Sequence, residues 1–316
     1  MRGESLMFIE GPGGSRRSLL FPADRMLSLT SGTGEVAYEE GRDYAFDAGQ
    51  VLRLEGSRIP LTTREGLARL IAADDDAFHR HQVAATYEHA AGLWTGPVPN
   101  FSGEQLARTH ARLSTSKRLT ICLTGDSISE GYNASGFVGA PPYQPAYGAL
   151  VAAGLERAYD GTLVTMHNFA VAGWTADNGR ADAARVAAVT PDLVIVAYGM
   201  NDASYADAAY FGANIEGLLN EIRDSSPDAE FVLVSPMVPN PECDFVVMDR
   251  FPAYRDALAT LSGHGTVLAD MTTLWLKLLE RKTAYDLSGN GLNHPNDFGH
   301  RLYAQIILTS LATLPV

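Results

Sequence analysis

Leu119–Ser127 reads LTICLTGDS, a β-type apolar run stopped by a sharp Gly-Asp-Ser turn. The same construction recurs downstream. Leu163–Ala170, Asp192–Tyr198 (DLVIVAY), Glu230–Ser235 (EFVLVS) and Thr266–Ala269 are further strand runs. Helical patterns separate them over Pro145–Tyr159, Ala181–Val189, Ala208–Arg223 and Ala253–Leu261, followed by Thr273–Arg281 and a last helix from Asp297. Apolar strand runs alternating with helices predict βαβ units and a parallel sheet covered on both faces. In such sheets, functional groups gather in loops beyond the carboxyl ends of the strands.

Upstream the pattern changes. Residues 1–95 carry short segments, Leu6–Glu10, Ser18–Phe21, Glu35–Tyr38, Asp43–Phe46 and Val51–Leu54, separated by Gly, Asp and Pro. Their partial alternation and close spacing predict a small antiparallel, sandwich-like β-rich domain. A helical stretch near Arg64–Ala73 interrupts it, and His81–Tyr87 returns as a strand. Phe101–Leu113, with Leu106, His110 and Leu113 at helical spacing, predicts a connecting helix. The expected organisation is a β-rich domain over 1–95, a connector over 96–117 and an α/β domain over 118–316.

The 316 residues are 46% hydrophobic and 19% charged, a globular composition. Against 24 basic residues stand 37 acidic ones, a net charge of −13. Such a surface repels phosphate backbones and anionic headgroups, which argues against nucleic acid or membrane partners and for a neutral substrate. Cys122 lies in an apolar run, and with Cys243 as the only other cysteine no disulfide framework is expected. The opening MRGESLMFIEGPGG has no apolar stretch long enough for a signal peptide, and nothing approaches the roughly 18 apolar residues of a membrane helix. The expected compartment is the cytoplasm.

Four loops of the α/β part each hold a suggestive residue. Gly125-Asp126-Ser127 follows the first strand, where a serine has an exposed hydroxyl and a backbone N–H near a helix start: a nucleophile and one oxyanion donor. The plain alternative is that Asp126 or Ser127 caps a helix. Asn168–Gly173 follows the second strand, and Gly173 can bring its N–H close to a ligand. Gly199-Met200-Asn201-Asp202 follows the third; the Asn201 amide can supply another donor, or Asn201 and Asp202 can simply close a turn. Asn293-His294-Pro295-Asn296 precedes the last helix and offers a general base suited to neutral pH.

In this order and context the four pieces resemble the sequence blocks of the SGNH/GDSL hydrolases, over residues 118–316. The resemblance implies a three-layer α/β/α flavodoxin-like fold with a five-stranded parallel sheet. It implies Ser127 as nucleophile and His294 as base. The Ser127 and Gly173 N–H groups and the Asn201 side chain would form the oxyanion hole, with no metal or organic cofactor. The loop 288–297 and a β-rich domain ahead of the catalytic one are similar to carbohydrate acetylesterases of that family. An acetyl ester on an oligosaccharide is then the expected substrate, with a lipid- or thioester-directed hydrolase or an inactive carbohydrate-binding protein as alternatives. The subunit number is open, a homo-oligomer included.

One position departs from the pattern. The family places an Asp three residues before the catalytic His, and here that position is Gly291. Asp286 could fold back as the orienting acid, Asn290 or a backbone carbonyl could do the orienting, or Ser127 and His294 could work as a dyad. Asp286 is the expectation carried forward. Asp297 is expected to cap the last helix, His300 and Tyr303 to pack, and Asp202 to orient the loop of Asn201.

Overall fold

A computed structural model describes residues 1–11, 15–47, 49–73 and 76–313. The strands are β1 (Glu4–Met7), β2 (Arg16–Ser18), β3 (Arg25–Ser31), β4 (Tyr44–Asp47), β5 (Gln50–Arg53), β6 (Gln82–Glu88), β7 (Arg118–Gly125), β8 (Leu163–Asn168), β9 (Leu193–Ala197), β10 (Glu230–Val234) and β11 (Thr266–Ala269). The helices are α1 (Arg64–Ala72), α2 (Ala77–Arg80), α3 (Ala107–Ala111), α4 (Ser127–Glu130), α5 (Tyr147–Ala158) and α6 (Ala176–Ala181). They continue as α7 (Ala183–Ala187), α8 (Ala208–Ser225), α9 (Arg250–Thr260), α10 (Met271–Leu279), α11 (Ala284–Leu287) and α12 (Asp297–Leu311).

The chain divides into two compact units. The first comprises Met1–Gly96, Tyr132–Pro145 and Leu276–His300; the second comprises Pro97–Gly131, Ala146–Trp275 and Arg301–Val316. The first unit therefore takes in more than the residues 1–95 expected of it, because the late loop hydrogen-bonds to its strands.

In the first unit two three-stranded sheets form, ordered β1-β6-β3 and β2-β5-β4, all antiparallel. Strand β3, the central strand's longest partner, lies where no strand was predicted. Its first half is exposed and carries Arg25 and Ser28, so its sequence shows no clean alternation. The predicted strand Glu35–Tyr38 is reduced to a single bridge between Ala37 and Thr30. Met7, Leu67 and Phe78 make a small core, with Ile9, Leu70, Ile71 and Tyr285 packed on it. A wholly buried ion pair, Lys282 Nζ to Glu4 Oε1 at 2.7 Å, ties the segment before α11 to β1. A lone buried charge is expensive, and here the Leu20 N–H and the Tyr87 hydroxyl also donate to Glu4.

The second unit holds a five-stranded sheet in the order β11-β10-β9-β7-β8, with every pair parallel. Each residue of β9 and β10 is buried, which is why their sequences are continuous Val, Ile, Leu and Phe rather than alternating. Successive residues of β7 face opposite ways: Leu123 meets Gly148 of α5, and Cys122 Sγ reaches the Val186 carbonyl of α7. Helices therefore cover both faces. Tyr147 of α5 stacks on Tyr303 of α12 on one side, while α6, α7 and α9 pack against α8 on the other. Helix α8 starts where Asp207 accepts the Tyr210 N–H at 2.8 Å, and it buries Phe211, Ile215, Leu218, Leu219 and Ile222 along one stripe. This is the predicted three-layer architecture with its β-rich companion.

The connector is shorter than expected. Only α3 and a π-helical turn over Arg112–Ser116 form, and Lys117 ends it in the left-handed region at φ 57°. Leu106 and Leu113 are buried as their spacing implied. The predicted helix Ala181–Val189 is the short α7, and an unpredicted helix, α6, precedes it, the two separated at Asp182.

The chain leaves β7 for β8 on one side, then crosses back to β9 on the other. A crevice opens beyond the carboxyl ends of strands where the order reverses in this way. Ser127 and Gly199–Asn201 follow the two strands at that point.

Candidate active site

Gly125 ends β7 against its neighbours: a Cβ there would lie 2.3 Å from Ser129 Oγ and 2.6 Å from the Ala197 carbonyl. Only glycine lets the chain turn so closely. Asp126 then caps α4, accepting the Ile128 N–H at 3.0 Å, so the capping alternative holds for Asp126 while Ser127 takes the first helical position. The Asp126 carboxylate also accepts the Met200 N–H, which ties this turn to the loop after β9. Burial, with Asp202 nearby, raises its pKa to about 7. Both thiols are buried and pushed up by desolvation, Cys122 to about 12 and Cys243 to about 11, so neither is a ready nucleophile.

The ladder between β7 and β8 runs on past the strands, with Phe169 N–H to Leu123 O at 2.8 Å and Val171 N–H to Gly125 O at 3.1 Å. It delivers the Gly173 loop beside the Ser127 turn. Glu130 of α4 clamps that loop by accepting the Ala172 N–H at 2.7 Å. Gly173 sits at φ 79°, a left-handed conformation that suits glycine. Asn201 Nδ2 donates to the Trp174 carbonyl at 2.9 Å, which uses one amide hydrogen and joins the loops after β8 and β9. Asp202 adds a second tie by accepting the Ala176 N–H at 3.0 Å; desolvation raises its pKa to about 6. In the second unit, then, the turn of Ser127 and the loops of Gly173 and Asn201 are brought together at one end of the sheet.

His294 belongs to the first unit. Its Nδ1 lies 2.9 Å from Asn133 Oδ1 and 3.2 Å from Asn290 Nδ2. Asn133 Nδ2 donates to the Gly289 carbonyl, which turns Oδ1 toward the imidazole. Nδ1 thus has an acceptor, Asn133 Oδ1, and a donor, Asn290 Nδ2, within reach; the tautomer protonated at Nδ1 donates to the nearer Asn133 and leaves on Nε2 the lone pair a general base needs. Asn290 Oδ1 collects the N–H groups of Leu292, Asn293 and His294 and shapes the loop. Tyr132 packs edge-on against the His294 ring at 5.3 Å. Desolvation, with a further push from His300, lowers the His294 pKa to about 4.

Asp286 does not hold His294. Its Oδ1 accepts the Met7 N–H and its Oδ2 accepts the N–H and hydroxyl of Thr283, both at 2.8 Å, in the capping box of α11; among the described residues it makes no hydrogen bond to the imidazole. The expectation of an orienting acid at 286 is corrected accordingly. Asn296, not Asp297, caps α12 by accepting the Gly299 N–H, and Asp297 accepts the Ser135 N–H instead. His300 and Tyr303 are buried, as expected, with His300 Nε2 at 3.1 Å from the Tyr132 carbonyl. Asn133 was missed. Its only local signal is an Asn two residues after a glycine, in the left-handed region at φ 62°.

Gly291 explains why the family's Asp is missing. It sits at φ 77°, and a Cβ would lie 2.7 Å from both Ile71 and Phe78. The α1–α2 corner of the first unit occupies the space a side chain would need.

The site end of the second unit is thus a doubly covered parallel sheet with Ser127 on the turn after its first strand and, after the next two strands, two loops tied to each other. A model of the GDSL-like lipase/acylhydrolase family matches residues 123–302, more than half of the chain, and the chain belongs to that family. No curated protein sequence matches it. Among solved structures it is similar to a variant of an acetyl-xylooligosaccharide esterase from Geobacillus stearothermophilus, with TM-score 0.52 and 19% identity over 62% of this chain and 95% of that one. It is also similar to a two-domain esterase active on acetylated mannans, with TM-score 0.52 and 23% identity over 67% of this chain and 53% of that one. Those likenesses speak for the fold. Among the described residues, no helix is long and apolar enough to cross a membrane.

Proposed function

We propose that the chain removes acetyl groups from neutral oligosaccharides by serine acyl transfer. Ser127 Oγ attacks the ester carbonyl as its proton passes to His294 Nε2, and the Ser127 N–H, the Gly173 N–H and the second Asn201 amide hydrogen receive the oxyanion. The C–O bond to the sugar breaks as His294 returns the proton to the leaving hydroxyl. Water, deprotonated by His294, then attacks the acetyl-serine and releases acetate. Asn133, rather than Asp286, holds the imidazole by Nδ1.

The observation that carries this reading is the hydrogen bond from Asn201 to the Trp174 carbonyl, which ties together the loops that follow β8 and β9. Oxyanion donors count only when they are held in advance, and each is worth roughly 10²–10³ in rate. The net charge of −13 suits an uncharged glycan, and both similar structures are of esterases acting on acetylated glycans. The test compares nitrophenyl acetate with nitrophenyl octanoate, and measures acetate released from acetylated xylo- and manno-oligosaccharides. Acetyl preference together with acetate release supports the reading; octanoyl preference without release overturns it.

A further inference from the structure

Asp177, in the first turn of α6, accepts hydrogen bonds at one oxygen from two phenols: Tyr205 at 2.9 Å and Tyr210 at 3.0 Å. Both tyrosines are half exposed, at 51% and 50%, and their rings stand 6.4 Å apart at 67°. Exposed tyrosines ordinarily sample several rotamers. Here one carboxylate fixes two of them while leaving much of each ring in water, so the fixing serves no burial.

The position of the pair is as telling as its rigidity. Helices that follow parallel strands run back along the sheet, so their N-termini lie at its carboxyl end. Asp177 and Tyr210 occupy the first turns of α6 and α8. Tyr205 ends the 3-10 turn, Asp202–Ser204, that follows Asn201. The bond from Tyr205 to Asp177 is therefore a third tie between the loops already joined by Asn201 to Trp174 and by Ala176 to Asp202. Two fixed aromatic faces flank the loops of the oxyanion donors within one unit.

We propose that Tyr205 and Tyr210, pinned by Asp177, form a platform for a sugar ring next to the acetylated one. The inference rests on the oligosaccharide reading above and adds where the glycan chain is held. An aromatic face suits the C–H face of a pyranose, and a phenol fixed beforehand binds without a further ordering cost. The Asp177 carboxylate at the hydroxyl ends of both rings disfavours uronic acids and other anions. A fatty acyl chain would gain little from a surface bearing two hydroxyls and a carboxylate.

The test uses the full chain and the variants Tyr205→Ala, Tyr210→Ala and Asp177→Ala, with Tyr210→Phe to keep the ring. kcat and KM are measured on nitrophenyl acetate and on acetylated xylo- and manno-oligosaccharides. Binding of unacetylated xylopentaose and mannopentaose is titrated separately, which needs no catalysis. The alanine variants should lose about tenfold in pentaose affinity and raise KM on the oligosaccharide to match, as expected for one lost aromatic contact. Nitrophenyl acetate turnover should stay within about twofold in Tyr210→Ala, whose bond to Asp177 is not one of the ties between the donor loops, and Tyr210→Phe should keep most of the affinity. Equal losses on both substrates would make the tyrosines structural and overturn the platform. Oligosaccharide turnover and binding untouched by the variants would also overturn it while leaving the esterase reading intact. Tyrosine-dependent pentaose binding without any deacetylation would support the platform and sink the esterase reading. A wild-type chain that neither binds nor deacetylates overturns both.

Discussion

At Nδ1 of His294 a neutral amide stands where the family pattern has a carboxylate, and this would set the chemistry of the proposed base. Asn133 Oδ1 can hold the productive tautomer, but it brings no negative charge to stabilise an imidazolium. With burial and His300 also disfavouring the charged ring, the pKa falls to about 4. A general base works when neutral, so if His294 is that base its lowered pKa extends activity toward acid: kcat/KM should stay near its maximum at pH 6 and fall only as pH drops through the region of 4. Asn133→Asp places a charge at Nδ1 and should move that acid limb up by about one unit or more. Asp also tolerates the left-handed backbone of this position. Asp286→Asn should leave the position of the limb nearly unchanged, even where losing bonds to Met7 and Thr283 loosens the loop and lowers kcat. A limb that follows Asp286 and ignores Asn133 would restore the acid to residue 286. Ser127, Gly173, Asn201 and His294 could be picked out of the sequence as candidates because each sits in a loop after a strand or before a helix, and their roles remain proposals. Asn133 could not, since its role is a contact across 161 positions of sequence with no periodic trace.

The late loop is an element built by a distant part of the chain. Gln82, at the start of β6, donates its amide to the carbonyls of Tyr285 and Ser288 at 3.0 and 2.7 Å. Asn296 Nδ2 donates to Ser5 Oγ of β1, and Met7 N–H of β1 to Asp286. The β-rich segment thus acts as a brace for the loop that carries His294, and its α1–α2 corner is what leaves room only for glycine at 291. Gln82→Leu would strand the buried Ser288 carbonyl, at about 1–3 kcal/mol, and remove the donor from the part-buried Tyr285 carbonyl. Loosening the loop should lower kcat by roughly tenfold to a hundredfold with little change in KM, since misplacing a catalytic group acts on the chemical step. Kinetics on nitrophenyl acetate at a temperature where circular dichroism shows the variant folded will check this; unchanged kcat in a destabilised protein would reduce the brace to a stability device. The brace could not be read from the sequence. Strand alternation and turn residues reveal elements, but the partners of Gln82 lie more than 200 positions away. The half-exposed strand β3 escaped for a related reason: polar residues on both faces erase the period that marks a strand.

For the whole molecule, the sheet order was the most legible feature, because five runs of apolar residues at βαβ spacing admit few other arrangements. The reversal of strand order at β7 and β9 then places the Ser127 turn and the Asn201 loop side by side, and the β7–β8 ladder adds Gly173. If these loops form an oxyanion hole, Asn201→Ala should cut kcat by on the order of 10²-fold and leave KM nearly unchanged, because the donor acts mainly in the transition state. A rise in KM at normal kcat would make Asn201 a substrate-binding residue instead. The division into units was less legible, since the chain returns twice to its N-terminal unit, at Tyr132–Pro145 and Leu276–His300.

The central claim is that Ser127 is a nucleophile activated by His294, and covalent labelling addresses it most directly. Wild-type protein and the variant His294→Ala are each incubated with a fluorophosphonate, then examined by intact mass and peptide mapping. One adduct per chain, on Ser127, is expected in the wild-type protein, and almost none in the variant over the same time. No adduct on Ser127, or equal labelling with and without His294, would contradict the claim.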